Sequence, residues 1–104
     1  LLLNDGAAFD AVICQNDVLA RGCIEELERN GCRVPQDVAV IGHDNSPDYV
    51  SYAHPLLTSI DDNNEMLGRQ AALCLLDAIA GHPHHGVERV PVKLIQREST
   101  LPLD

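Results

Sequence analysis

The sequence predicts an α/β fold built on a mostly parallel sheet, and three observations carry that reading. Phe9-Asp-Ala-Val-Ile-Cys14 and Val38-Ala-Val-Ile41 are short apolar runs separated by one stretch of helical periodicity. A strand–helix–strand crossover of that length forms a right-handed unit with parallel strands. The second run is apolar at every position, the pattern of a parallel strand covered on both faces rather than of an alternating hairpin strand. Third, three runs end in Asn or Asp: Val12-Ile-Cys-Gln-Asn16-Asp17, Val38 to Asp44, and Leu57-Thr-Ser-Ile-Asp61-Asp62. Open α/β sheets bind ligands outside the carboxyl ends of their strands. Polar side chains delivered there are candidate contacts.

Taken in order, the first strand is entered from a Gly-Ala-Ala loop, and Asn16 or Asp17 caps the helix that follows. That helix runs to about Asn30 and stops at Gly31. Its apolar stripe is Leu19, Ala20, Cys23, Ile24 and Leu27, with Arg21, Glu25 and Arg29 as a charge ladder on the opposite face. Arg33-Val-Pro-Gln-Asp37 reads as a tight turn into the second strand. Residues 42–55 form a long loop, of a length usually reserved for function or an interface. Leu56 to Ile60 is a third strand. Asp62-Asn-Asn-Glu65 has capping-box spacing and opens a helix to about Ala80, ended by Gly81 and Pro83. Leu67, Ala71, Cys74, Leu75 and Ala78 form one stripe on it, widened by Ala72, Leu76, Ile79 and Leu73, so the helix should touch more than one layer. Val90 to Ile95 is a last strand, and Gln96 to Asp104 a polar tail. At the other end, Leu1-Leu-Leu followed by Asn4-Asp-Gly6 reads as the last turn of a helix and its cap, which suggests a piece of a longer protein.

Composition bounds the function. Seven Lys+Arg against sixteen Asp+Glu give a formal net charge of −9. That opposes gripping of phosphate backbones or anionic membranes. No apolar run approaches the roughly 18–20 residues of a membrane span. Cys14, Cys23, Cys32 and Cys74 include no C-x-x-C pair and read as buried small hydrophobes of a reducing cytoplasm.

The chemical candidates thin out quickly. His82-Pro-His-His85 reads as a solvated loop, so no metal and no cofactor is expected. Asp61-Asp62 could form a carboxylate pair with Asp44 nearby, but no nucleophile, base and orienting group assemble, so no catalytic residue is expected. His43 and Asp44 are chain neighbours along a strand and should point to opposite faces. Asn16 offers two readings, a helix cap or a side chain aimed into a cleft. An Asn amide both donates and accepts, and a carboxylate such as Asp44 accepts from two hydroxyls, chemistry apt for a sugar or ribose.

The order Phe9-Asp-Ala-Val, Asn16-Asp17, Gly31-x-Arg-Val-Pro-x-Asp-Val38-x-Val-x-Gly-x-Asp44-Asn45, Pro55-x-Leu-Thr-x-Ile60 and Arg97-x-Ser-Thr100 resembles the LacI/GalR family of bacterial transcription regulators. The resemblance covers roughly residues 9–100. It implies one lobe of a doubly wound, periplasmic-binding-protein-like type I domain: the C-terminal lobe, plus one helix (about 63–80) of the other lobe. It implies effector contacts at Asn16 and Asp44, and places Asp62 where the family often has Gln. His43 stands where the family usually has Tyr or Phe. The implied partners are a sugar-like or nucleoside-like effector and a second copy, docked through helix 17–30 and loop 46–55. Operator DNA would be bound only through a helix-turn-helix domain outside these residues. The implied site of action is the cytoplasm, and the protein is not an enzyme. The alternative is the sugar-binding protein of an importer, which shares the fold class.

Overall fold

A computed structural model describes Gly6 and residues 8–102. The helix end expected at residues 1–5 lies outside the described residues. The elements, in chain order, are β1 (Ala11–Ile13), α1 (Asp17–Arg29), β2 (Ala39–His43), α2 (Pro47–Val50), β3 (Thr58–Asp61), α3 (Asn64–Ile79) and β4 (Lys93–Ile95). The sheet order is β1-β2-β3-β4. β1, β2 and β3 are parallel, with Ile13 opposite Ile41 and His43 opposite Ile60, and β4 runs antiparallel to β3. The α/β class and the parallel crossovers are as the apolar runs predict.

The core lies between α1 and one face of the sheet: Ala20, Ile24, Leu27, Val34, Val38, Val40, Val50 and Leu57. Burial along β2 alternates, with Val40 and Gly42 inside and Ala39, Ile41 and His43 half-buried. The expectation of cover on both faces is therefore met on one face only. Ile13 on β1 is 71% exposed on the open side.

The charge ladder on α1 also needs correction. Arg21 is 5% exposed, while Leu19, assigned to the apolar stripe, is 53% exposed. Arg29 pairs with Glu25 and Glu26 at the surface, and Arg21 turns inward instead. Its guanidinium donates from Nε to the Tyr49 carbonyl (2.6 Å), from Nη1 to Pro55 (2.8 Å) and from Nη2 to Val50 (3.3 Å). It also lies 5.2 Å from the ring centre of Tyr52. One fork with several donors satisfies the Tyr49 and Pro55 carbonyls and adds a second donor to Val50, whose carbonyl also accepts the Leu57 amide at 2.9 Å. Loop 42–55 is thus organised around Arg21, and it contains the short helix α2.

The turn into β2 closes locally. Arg33 grips Asp37 through Nη2 (2.7 Å) and Nε (2.8 Å), and Asp37 Oδ2 also accepts the Arg33 amide (2.8 Å). The spacing of Arg-Val-Pro-x-Asp is what lets one side chain bridge to the other.

The segment after β4 is not a loose polar tail. Ser99 is fully buried, wedged between the starts of β2 and β3. Its hydroxyl donates to the Val40 carbonyl (2.6 Å) and accepts the Thr58 amide (2.8 Å). Its carbonyl accepts from Val40 N–H and its own amide donates to Leu56, each at 2.9 Å. A small hydroxyl residue fits a seam where four backbone groups would otherwise be unpaired.

No residue of α3 is buried, and Leu75, Leu76 and Ile79 are 61%, 60% and 74% exposed. The broad apolar arc read from the sequence is present, but among the described residues nothing covers it.

Candidate functional site

Because β1, β2 and β3 are parallel, their carboxyl ends share one edge of the sheet. Asn16, Asp44 and Asp62 follow those three ends. Asp44 is fixed by its amide, which donates to the Ile60 carbonyl at 2.9 Å. Its φ of 94° takes it out of the extended run. The face alternation expected for His43 and Asp44 therefore fails at this bond, and His43 Nδ1 lies 3.2 Å from Asp44 Oδ1. The other ring nitrogen, Nε2, lies 3.2 Å from Asp62 Oδ1. The histidine that the sequence left without a partner is bracketed by two carboxylates. Asp44 takes Nδ1 in a hydrogen bond and Asp62 lies at ion-pair distance from Nε2, and one nitrogen or oxygen atom of each of the three lies within 4.8 Å of the others.

Asp62 does not cap α3, as the capping-box spacing suggested. Asn63 is the cap residue, in the left-handed region at φ 55° and without a side-chain cap. Its amide donates instead to Asp61 Oδ1 at 2.8 Å. Asp61 and Asp62 consequently face different partners, Asp61 towards Asn45 and Asp62 towards His43, and do not form a paired-carboxylate site.

Asn16 is the helix cap: its Oδ1 accepts the Leu19 amide at 2.9 Å. That bond orients the side chain, leaving the NH2 end without a hydrogen bond to any described residue. The edge thus presents one amide donor and two partly exposed carboxylates.

Three residues missed by sequence reasoning lie directly behind these groups. Asp17 is 1% exposed. Its carboxylate accepts from Ser59 Oγ (2.5 Å) and from the Ser46 amide (2.7 Å). Gly42 faces it, and a Cβ at that position would collide with Asp17 Oδ1 and crowd Leu57. Asn45 and Arg97 join the same region: Arg97 Nη2 donates to Asn45 Oδ1 at 2.7 Å. Arg97 was visible only as part of the closing Arg-x-Ser-Thr words, with nothing local to say where its side chain goes.

The four cysteines are free and half-buried. Burial, with Cys23 as neighbour, pushes the Cys14 thiol up to about 11, which suppresses the reactive thiolate. His82 to His85 are exposed, and His84 meets Glu88 at 3.0 Å. A depression of about 840 Å³ lies at the opposite pole of the sheet between Val34, Pro35, His54, Pro55, Glu98 and Leu101. It does not reach the strand carboxyl ends.

Fold and edge together define the class of α/β domains that hold ligands at the ends of parallel strands. A family model described as a periplasmic binding protein-like domain matches residues 3–100. The chain belongs to this family, in the form found in LacI-type transcription regulators. The HTH-type transcriptional repressor CytR of Escherichia coli (strain K12) is 39% identical over 94 residues, covering 89% of this chain and 27% of the repressor. A solved structure of the lac repressor dimer bound to operator and the anti-inducer ONPF superposes with a TM-score of 0.89 at 33% identity, covering 97% of this chain and 35% of that one. The transcriptional regulator CelR in complex with cellobiose gives 0.83 at 36% identity, over 94% of this chain and 30% of that one. The chain thus spans about a third or less of each of these relatives.

Proposed function

We propose that this chain is the ligand-sensing and dimerising part of a LacI/GalR-type transcriptional repressor, and that Asn16, Asp44 and Asp62 contact a neutral polyhydroxylated effector of the sugar or nucleoside class. The observation that carries the reading is the shared edge: three parallel strand ends bring an amide donor and two carboxylates to one side, in a chain similar to a regulator over 89% of its length. Carboxylates accept from vicinal hydroxyls, and the Asn16 NH2 group donates back. The edge is half a cleft. The other half is assigned to a second lobe, to which α3 belongs, and this accounts for its uncovered leucines. Closure of the lobes on the effector shifts their equilibrium and, through the dimer, operator affinity.

The dimer contact is assigned to α1 and loop 46–55. Arg21 ties that loop to α1, and Tyr52, 59% exposed, stands at its surface with its hydroxyl 3.5 Å from Glu25. Operator contact is assigned to a segment outside this chain, since its −9 charge opposes DNA binding. The relatives it resembles are named as regulators, which favours this reading over an importer's binding protein and over an enzyme, and goes with a cytoplasmic site of action. No helix here is long and apolar enough to cross a membrane.

The test is a thermal-shift screen of sugars and nucleosides against a chain that includes both lobes. At least one is expected to raise the melting temperature in a concentration-dependent way. A chain that folds and dimerises yet responds to none of them would overturn the effector assignment.

A further inference from the structure

Each of the three strand-end groups has a chain neighbour that turns behind the edge: Asp17 beside Asn16, Asn45 beside Asp44, Asp61 beside Asp62. These neighbours are wired to one another. Asn45 N–H donates to Ser59 Oγ (3.1 Å), and Ser59 Oγ donates to Asp17 Oδ1 (2.5 Å). Asn45 Nδ2 donates to Asp61 Oδ2 (3.3 Å). Arg97 holds the remaining end of the same amide, with Nη2 on Asn45 Oδ1 (2.7 Å) and Nη1 on the Leu57 carbonyl (2.8 Å). Both ends of the Asn45 side-chain amide, and its backbone N–H, are therefore held. Asn45 also sits at φ 50°, directly after Asp44 at φ 94°. Asn tolerates the left-handed region better than most residues, but two successive positive φ values persist only where the surroundings hold them.

We infer that Asn45 and Arg97 are positioning residues for the effector edge. Arg97 fixes the Asn45 amide, and Asn45 in turn sets the spacing between the β2 end carrying Asp44 and the β3 end carrying Asp62. The inference rests on the reading of that edge as the effector site. Arg97 comes from the segment after β4 and makes no hydrogen bond to the three contact residues, so it acts on them through Asn45. A pre-set spacing lowers the ordering cost of binding.

The experiment uses isotope-labelled chain without ligand, so that a failed effector screen and a failed network are told apart. Carboxylate carbon resonances of Asp44 and Asp62 are recorded together with amide exchange at Asn63, whose N–H rests on Asp61. Asn45→Ala is expected to move both carboxylate resonances and to raise Asn63 exchange by roughly two- to tenfold, the equivalent of one net hydrogen bond. Arg97→Met is expected to move the same resonances in the same direction, and Arg97→Lys, which keeps a donor, to restore them in part. Should Asn45→Ala fail to fold, the two Arg97 variants carry the test with the same readouts. Resonances of Asp44 and Asp62 left in place in a folded variant, or a shift at Asp44 with none at Asp62, would overturn the inference.

Discussion

His43 and Asp62, on the ends of neighbouring strands, meet at 3.2 Å through Nε2, while the opposite ring nitrogen faces Asp44 at the same distance. All three side chains are at least a quarter or so exposed, so the bracket contributes little to folding. His43→Phe is expected to change the urea unfolding free energy by less than about 1 kcal/mol. Effector selectivity, rather than stability, should be what it alters. A loss well above that figure would make the bracket a structural element.

Gly42 and Asp17 give the opposite expectation. Only a missing side chain leaves room for the Asp17 carboxylate between Ser59 and Ser46. Gly42→Ala should cost about 1–3 kcal/mol through overpacking. Asp17→Ala should cost about 2–3 kcal/mol by leaving a buried hydroxyl and an amide unpaired. Urea denaturation measures both.

Arg21 is the inward anchor of loop 46–55, and burial pulls its guanidinium below the ordinary arginine range, partly offset by Tyr52 and nearby acids. Arg21→Met keeps the length but removes the guanidinium donors to Tyr49, Val50 and Pro55. Hydrogen exchange should then rise across residues 46–55, with dimerisation weakening in parallel. Unchanged exchange would show that the loop holds itself.

Acid sensitivity follows from two surface carboxylates. The Arg33 side chain and amide hold Asp37 at about 2, against an ordinary 3.8. The Leu56 amide, then His54, lower Glu98. A folded pKa below the unfolded one means that the stabilisation is present above the ordinary carboxylate value and is lost as pH falls from about 4 towards about 2. The unfolding midpoint should decline across that window, and Asp37→Asn should flatten part of the decline.

What could be read in the sequence was what is local. The Arg33–Asp37 turn, the Asn16 cap and the apolar β2 run are fixed by residues within a few positions of one another, and spacing alone exposes them. Arg21 was misplaced because helical periodicity cannot tell a solvated cation from one whose partners are carbonyls some thirty residues away. The Ser99 wedge and the Arg97–Asn45 contact are longer still in sequence separation, so a polar composition read as a tail. Asp62 was assigned to a cap because its spacing fits one. The left-handed turn at Asn63 released it, and the positive φ at Asp44 likewise defeated the alternation rule for His43. At the candidate site, the sequence supplied the residue types and the strand ends, while turn geometry decided which of them meet.

The central claim is that the shared strand edge binds the effector, and the most direct measurement is calorimetric titration of a two-lobe chain with the sugar or nucleoside that most raises its melting temperature, in wild-type and Asp44→Asn forms. The account predicts that Asp44→Asn keeps the fold and weakens binding by roughly tenfold to a hundredfold, the loss of a hydrogen bond to a charged group. Equal affinity in the two forms would contradict it.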